Sequence, residues 1–194
     1  MTDRAVGASS HSRARITGVT YLLYFLTAVS AEAFVGRGRP VLYDAVNLIS
    51  HAFYLAVTLL FYYMFKPVNR SLSLLAAFLS LLGCANDVLS LLNLAPYSIS
   101  SLVFFGPYCL LLGYLIFRST FLPRILGVLM AFAGVGWLIF MSPIGNRLST
   151  GLMVLGFVAE LSLCLWLLVM GVNVQRWNEQ AGVARLRSDG TSAS

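Results

Sequence analysis

Long apolar runs alternate with short polar turns along most of the chain, and the runs are apolar throughout rather than on one face. Each run is about 20 residues long, which allows one helix to cross a hydrocarbon layer about 30 Å thick. The pattern predicts an all-α membrane protein, a bundle of about six transmembrane helices. The predicted spans cover residues 16–35, 41–65, 71–94, 99–117, 121–141 and 148–172.

The two ends of the chain are polar. We predict that residues 1–15 and 173–194 are disordered cytoplasmic tails, because they contain few apolar side chains that a core could bury. Residues 16–172 then form a single transmembrane domain. One alternative stays open for the first run, since Ala28 and Ser30 also resemble the cleavage site of a signal peptide. Cleavage there would leave the direction of the other spans unchanged.

The basic residues give the spans a direction. The turn at residues 118–124 contains Arg118 and Arg124 and no acidic residue. Cytoplasmic turns carry an excess of Lys and Arg, so we predict that this turn and both ends of the chain lie in the cytoplasm. The resulting protein would be a multi-pass protein of the cytoplasmic membrane. Of the 13 basic residues, this topology leaves three outside, namely Arg37, Arg39 and Arg147.

The composition agrees with a lipid environment and narrows the choice of partners. The chain is 59% hydrophobic and 10% charged, whereas soluble domains are about 45–50% apolar and about 25% charged. The net charge of +6 does not indicate nucleic acid, because the basic residues lie at span ends and not on one face. The predicted partners are the lipid bilayer and, at the cytoplasmic turns, anionic lipid headgroups. A homo-oligomer stays open.

Small and aromatic residues indicate how the spans pack. Gly127, Ala131 and Gly134 share one face of the fifth span, where two backbones can approach closely. Most Tyr and Trp residues lie near predicted span ends, which is typical of an aromatic belt at the membrane surface, and Tyr21 and Tyr24 are among them. The three cysteines lie inside apolar runs, and we interpret them as small buried apolar groups.

Several polar and ionisable residues fall inside the predicted spans. A charged side chain that faces lipid at mid-bilayer costs at least about 2.5–3.5 kcal/mol, so these groups should face the interior of the bundle. They lie in the middle or toward the outer side of four spans, the first, second, third and sixth. We therefore predict a polar pocket for a ligand or ion, open to the outside. Its candidate residues are Glu32, Asp44, Asn47, His51, Asp87 and Glu160.

Two arginines are candidates for the rim of this pocket, and the polar residues also have a simpler interpretation than a pocket. Asp44, Asn47 and His51 share one face of the second span. Arg37 and Arg39 would lie at the outer mouth, or would simply be tolerated in a short turn. The alternative is that the polar side chains only join helices by hydrogen bonds, at about 0.6 kcal/mol each.

Three functions are compatible with these residues. The first is binding or transport of a small molecule, a cation or a proton through the pocket. The second is a non-catalytic structural or regulatory role, in which Arg118 and Arg124 bind lipid headgroups or a neighbouring protein. The third is an enzyme acting on a lipid, with His51 as the base and an acid within about 3.2 Å, directly or through a water molecule.

Catalysis is the least favoured of the three. The sequence contains no HExxH, GxSxG or P-loop motif. His51 is the one histidine within the spans, and its spacing from the carboxylates matches no metal site. We therefore predict no metal and no cofactor.

Two stretches carry a resemblance to a known family: FRSTFLPRILG at residues 117–127 and ELSLCLWLLVMGVN at residues 160–173. The chain resembles a bacterial family of small integral membrane proteins known only as a domain of unknown function. The resemblance covers most of residues 14–173 and implies a helical bundle with both ends in the cytoplasm, but no activity. Its shared positions are Arg118, Pro123, Arg124, Gly127 and Glu160.

The chain also departs from that family pattern. Its turn between the first two spans is short, and no histidine precedes the fourth span. Both departures fall on the predicted outer side. The resemblance therefore does not extend to the chemistry of an outer pocket.

Overall fold

A computed structural model describes residues 2–35, 38–94, 99–143 and 145–191, and the regular structure in these ranges is entirely helical. The first helix continues into a short π-helical turn at Ala31–Val35. The seven α-helices are α1 (Thr2–Ser30), α2 (Pro40–Phe65), α3 (Arg70–Leu91), α4 (Leu102–Arg118), α5 (Arg124–Phe140), α6 (Gly145–Val169) and α7 (Val174–Thr191).

Each predicted span contains a helix. Four helical segments are long and apolar enough to cross a membrane, at Ala14–Val35, Pro40–Phe65, Arg70–Leu91 and Arg147–Val169. Helices α4 and α5 are also apolar but have 17 residues each, near the lower limit of about 17–25 residues for a spanning helix. The chain is therefore a membrane-embedded helical protein with at least four candidate spans.

Local chemistry explains several helix ends. Pro40 stands in the first turn of α2, where its missing N–H leaves no bond unmade. Asn69 caps α3, since its side chain accepts a hydrogen bond of 3.0 Å from the backbone N–H of Leu72. Gly171 has a φ of 68° and directly follows α6, where a left-handed residue commonly ends a helix. Helix α6 therefore ends at Val169, three residues before the predicted end of the last span.

The six apolar helices form a closed ring. Each of α1 to α5 packs against the next helix in the chain, and α6 packs back against α1. The interior of this ring is rich in aromatic and aliphatic side chains, including Tyr21, Tyr54, Phe61, Tyr108, Leu112 and Leu163. Many large apolar side chains instead point outward, for example Leu26, Leu59, Phe78, Phe132 and Met153. An apolar exterior of this kind suits lipid as the surrounding solvent.

Paired glycines bring α4 and α5 together, as the small-residue face of the fifth span predicts. Gly106 lies against Gly134, and Gly113 lies against Gly127, so the two helices run antiparallel. A Cβ atom on Gly134 would lie 2.8 Å from the carbonyl oxygen of Gly106. Side chains at these positions would therefore force the two backbones apart.

The predicted tails are partly helical in the structure. Helix α1 begins at Thr2, and α7 occupies most of the stretch predicted as the C-terminal tail; residues 1 and 192–194 lie outside the described residues. Helix α7 lies against the bundle, where the indole N–H of Trp177 donates a hydrogen bond of 3.0 Å to the Met64 carbonyl oxygen. The backbone N–H of Thr120 donates to the side chain of Gln180 over 3.2 Å. The residues that α7 contacts are distant from it in the chain. The polar composition of residues 173–194 alone therefore does not reveal that this stretch packs on the bundle.

The two ends of the bundle differ in charge. We use the term basic end for the end that holds the α2–α3 turn, the α4–α5 turn and α7. Its described basic side chains are Arg15, Lys66, Arg70, Arg118, Arg124 and Arg176. The opposite end, at the α1–α2, α3–α4 and α5–α6 connections, holds the described charged side chains of Glu32, Arg39, Asp44 and Arg147.

Candidate functional site

The structure places His51 of α2 beside Asp87 of α3. The Nε2 atom of His51 lies 3.5 Å from Oδ2 of Asp87, the only ion pair between described residues. The Nδ1 atom of His51 lies 2.8 Å from the carbonyl oxygen of Asn47, one turn earlier on α2. The Asp87 side chain is 38% exposed and the His51 side chain 19% exposed, so the pair lies at the edge of the bundle interior.

The start of α4 holds the Asp87 carboxyl group in place. The hydroxyl group of Ser101 donates a hydrogen bond to Oδ1 of Asp87. The side-chain amide of Asn86 in turn donates to the Ser101 hydroxyl at 2.8 Å and to the Ile99 carbonyl oxygen at 2.9 Å. We call these residues, His51, Asp87, Asn86 and Ser101, the His51 cluster.

The geometry of the His51 cluster favours one bound proton between histidine and carboxylate. A carbonyl oxygen only accepts hydrogen bonds, so the Nδ1 atom of His51 carries a hydrogen. Its Nε2 atom faces Asp87, and two lone pairs facing each other would repel. Either the ring is an imidazolium opposite an ionised Asp87, or a neutral ring faces a protonated carboxyl group. Both states place one proton between the two side chains.

A second polar centre surrounds Glu160 of α6. The hydroxyl group of Tyr21, on α1, donates a hydrogen bond of 2.8 Å to Oε2 of Glu160. Further tyrosines adjoin it: the Tyr54 ring centroid lies 6.4 Å from the Tyr21 centroid, 4.7 Å from that of Tyr24 and 6.4 Å from that of Tyr108. We call Glu160 with these four tyrosines the Glu160 cluster.

Glu160 has no positive side chain as a partner in the part of the chain that the structure describes. Within the described ranges, no lysine, arginine or histidine forms an ion pair with it. An ionised carboxylate without a partner is costly in the low-dielectric interior of a membrane bundle. The carboxyl group therefore either carries a proton or is paired with a cation that the protein binds. The faces of the surrounding tyrosine rings also attract cations.

Tyr24, a member of the Glu160 cluster, also lies near the His51 cluster. It is close enough to both Glu160 and Asp87 to interact with their charges, and its ring packs on Tyr54. The two carboxyl groups, from α3 and α6, therefore lie near the same side chain of α1.

The remaining candidates are more scattered. The Tyr43 hydroxyl group donates a hydrogen bond to the exposed Glu32 near the opposite end. The Asn47 amide donates to the Tyr43 carbonyl oxygen at 3.0 Å and stays on its own helix. Asp44 is partly buried and forms no hydrogen bond or ion pair with the residues that the structure describes. The structure thus brings together His51 and Asp87, and places Glu160 in a separate cluster.

Of the two arginines predicted at the rim of the pocket, the described residues include Arg39. Arg39 is exposed and forms no ion pair with another described residue. Arg37 lies outside the described residues.

Sequence reasoning missed the tyrosines of the Glu160 cluster. The belt interpretation is wrong for Tyr21, which is 1% exposed and lies in the core. Tyr54 and Tyr108 are also buried, and both stand well inside predicted spans. A hydroxyl group in the middle of an apolar run needs a partner within the protein, so the positions of these two residues were a usable signal.

At the basic end, the Arg124 guanidinium lies over the Phe117 ring, 5.5 Å from its centroid. Arg118 and Arg124 are both exposed. The turn between them is tied to α7, since the Arg176 guanidinium donates to the Thr120 carbonyl oxygen at 3.4 Å. The exposed cations of the turn and α7 are therefore held on one side of the bundle.

Part of the chain is similar to a protein family of unknown function. The sequence pattern of the family described as "Domain of unknown function (DUF4386)" matches residues 97–171, which include the 118–124 turn and Glu160. An uncharacterised protein of Archaeoglobus fulgidus is 27% identical over 155 residues, covering 74% of this chain and 93% of that protein. No solved structure matches.

Proposed function

We propose that the protein binds and transports protons or a small cation across the cytoplasmic membrane through the pocket formed by the two clusters. It crosses the membrane six times, with both ends of the chain in the cytoplasm. The closed ring of six apolar helices supports the number of crossings. The cations at the basic end support its cytoplasmic location, because positive residues are enriched there.

One observation carries this proposal: the Glu160 carboxyl group lies among tyrosines and has no basic partner among the described residues. The missing positive charge must come from a proton or from a bound cation. Either occupant is exchangeable, unlike the fixed charge of an arginine. The site therefore suits reversible binding better than structural support.

The two clusters differ in access. Asp87 is partly exposed near the opposite end of the bundle, whereas Tyr21 and Tyr54 beside Glu160 are buried. The His51 cluster would accept the proton or cation first. The proton or cation would then pass Tyr24 before it reached Glu160. Transport in this scheme passes from the Asp87 carboxyl group to the Glu160 carboxyl group, which is partly buried among tyrosines.

Flux measurements in proteoliposomes test the proposal. Purified protein is reconstituted around a pH-sensitive dye, and proton flux is followed after an ion gradient is imposed; flux of small inorganic and organic cations is followed in parallel. We expect flux in the native protein and its loss in Glu160→Gln and Asp87→Asn, which remove the charge and keep the shape. Glu179→Gln, on the exposed side of α7, is the matched control. Unchanged flux in both carboxyl variants would reject the proposal.

Cysteine labelling tests the orientation independently. The native Cys84, Cys109 and Cys164 are buried, so a membrane-impermeant maleimide should not react with them. Ser100→Cys, between α3 and α4, should react in intact cells. Glu179→Cys should react only after the cytoplasmic face is opened. The reverse pattern would invert the topology.

A structural or regulatory role is the second candidate, and the basic end favours it. Exposed Arg118 and Arg124 lie in one turn, and α7 is hydrogen-bonded to that turn. Each cation near an anionic leaflet contributes about 1 kcal/mol of binding. Under this candidate, Arg118→Ala with Arg124→Ala loses co-purifying anionic lipid or a protein partner. Retention of all bound lipid and protein would exclude it.

The enzyme hypothesis gains less support. The distance of 3.5 Å between His51 and Asp87 is compatible with the acid that this hypothesis expects within about 3.2 Å, directly or through water. Both ring nitrogens of His51 already face groups of the protein itself. No ring nitrogen is left to act on a lipid substrate.

A further inference from the structure

We propose that a small cavity between α2, α3 and α4, mostly apolar but lined by three hydroxyl-bearing residues, Thr58, Ser73 and Tyr108, holds a water molecule and connects the Glu160 cluster with the basic end, so that protons reach Glu160 from both sides of the membrane. This inference rests on the proposed function and narrows the transported species to the proton.

The cavity lies in the half of the bundle nearer the basic end. Thr58 of α2, Ser73 of α3 and Tyr108 of α4 line it, together with apolar residues such as Ala77. Ser73 lies in the first turn of α3, next to the α2–α3 turn. The cavity has room for about one water molecule. It therefore extends from the middle of the bundle toward the basic end.

Two orphaned hydroxyl groups belong to residues that line this cavity. Tyr108 and Ser73 are each 2% exposed, and neither hydroxyl group forms a hydrogen bond of normal geometry with a described residue, although the Tyr54 side chain lies near that of Tyr108. An unsatisfied buried hydroxyl group costs about 1–3 kcal/mol. A buried water molecule typically joins two to four such groups. One water in this cavity would therefore relieve both hydroxyl groups at once.

A further hydroxyl pair lies beside the cavity. The Thr58 and Ser80 hydroxyl groups are hydrogen-bonded over 2.7 Å, and both residues are buried. Thr58 also donates to the Tyr54 carbonyl oxygen at 2.9 Å. This part of the bundle thus contains hydroxyl groups from α2, α3 and α4 in an otherwise apolar interior.

Tyr108 joins the cavity to the Glu160 cluster. Its ring meets the Tyr54 ring at 72°, edge to face, and Tyr54 meets Tyr21 at 60°. Tyr21 then donates to Glu160. The path runs from Glu160 through Tyr21, Tyr54 and Tyr108 to the cavity water and Ser73.

A chain of hydroxyl groups and water suits protons and no larger ion. Each hydroxyl group can release one proton as it accepts another, so no group retains a net charge. The titratable groups that face Glu160 are Tyr21, Tyr24, Tyr54, Tyr108 and Cys109. Those groups are hydroxyl groups and a thiol, whereas Glu160 itself is a carboxyl group. In this path Glu160 is therefore the group that binds the proton. An organic cation would not fit a cavity of this size, and the mostly apolar lining offers too few oxygen ligands for a bare metal cation.

Two conservative variants test the path. Tyr108→Phe and Ser73→Ala each remove one hydroxyl group, and Tyr114→Phe and Ser71→Ala are matched controls at exposed positions on the same helices. Two quantities are measured in proteoliposomes: proton flux, and the infrared band of protonated Glu160, identified by its loss in Glu160→Gln. We expect Tyr108→Phe and Ser73→Ala to lower flux at least about tenfold and to keep the infrared band. The controls should match the native protein.

The outcomes separate this inference from the proposed function. Full flux in both Tyr108→Phe and Ser73→Ala would overturn the path and leave the carboxyl site standing. Neither flux nor a Glu160 band in the native protein would overturn both. Ala77→Leu gives an independent check, because it fills the cavity and keeps all hydroxyl groups. Loss of flux in a folded Ala77→Leu protein supports the path, and native flux contradicts it.

Discussion

The Tyr21 hydroxyl group donates its hydrogen bond to Glu160 although the two residues lie 139 positions apart in the chain. This bond joins α1 to α6, the two helices that close the ring. Gly18, one turn before Tyr21, permits the close approach: a Cβ atom there would lie 2.5 Å from the backbone nitrogen of Leu168. Ring closure and the environment of Glu160 therefore depend on the same helix contact.

Replacing Tyr21 with Phe should weaken both features. Tyr21→Phe removes one hydrogen bond to a partly buried carboxyl group and should lower the free energy of unfolding by about 1 kcal/mol. It should also reduce proton or cation flux, since Glu160 loses the hydrogen bond from the Tyr21 hydroxyl group. Unfolding in detergent and flux in proteoliposomes measure the two effects. Tyr63→Phe, at an exposed position, should change neither, and an equal loss in both variants would show that the Glu160 contact is not the cause.

Adding one methyl group at Gly127 should destabilise the bundle. A Cβ atom there would lie 2.6 Å from the Gly113 carbonyl oxygen, so α4 and α5 must separate. We expect Gly127→Ala to lower the free energy of unfolding by about 1–3 kcal/mol. Gly151→Ala on α6 is the control, because nothing lies within 4 Å of the added atom. Its higher helix propensity should stabilise by up to about 1 kcal/mol, and equal destabilisation of both variants would contradict the packing.

Helix α7 should loosen when the Trp177 hydrogen bond is removed. Trp177→Phe keeps an aromatic ring against the bundle and loses the N–H that donates to Met64. One such bond contributes about 1 kcal/mol, so amide exchange in α7 should accelerate about fivefold. Hydrogen exchange followed by mass spectrometry measures this change. The exposed Glu179→Gln should leave exchange unchanged, and native protection in Trp177→Phe would show that this bond does not hold the helix.

The His51–Asp87 pair should show measurable energetic coupling. A double-mutant cycle of His51→Gln and Asp87→Asn should give about 0.2–1 kcal/mol, the range of partly exposed ion pairs. The free energy of unfolding of the four proteins provides the cycle. A second cycle with Arg147→Gln and Asp87→Asn should be additive, because these two side chains form no ion pair. Coupling within error of zero for His51 and Asp87 would mean that the proton is not shared between them.

The helices were largely predictable. Hydropathy located a helix in every predicted span, and the spacing of Gly127, Ala131 and Gly134 predicted the face that packs on α4. The ends were less accurate, since Asn93 with a φ of 55° and Gly171 with a φ of 68° end the regular helices before the apolar runs end. The helix α7 was not predicted, because its polar sequence has no apolar run and its position depends on Met64 and Thr120.

The candidate site was predictable in its residue types and less so in its arrangement. Ionisable residues inside apolar runs are few, so His51, Asp87 and Glu160 could be selected without a structure. Their grouping could not, because it depends on how far each helix is rotated about its axis within the ring. Asn47 shares a helix face with His51, and yet its amide bonds to its own helix.

By itself, the sequence determined the lipid environment, the helical class and the charge difference between the two ends. These properties are sums over neighbouring residues, so a window of about 20 positions contains them. Only the tertiary structure decided that Tyr21 meets Glu160 and that Ser101 holds Asp87, because each contact depends on how two separate helices pack. Lipid solvates every apolar helix face about equally well, so the solvent does not select which helices pair. That choice depends on close packing at positions such as Gly18 and Gly127.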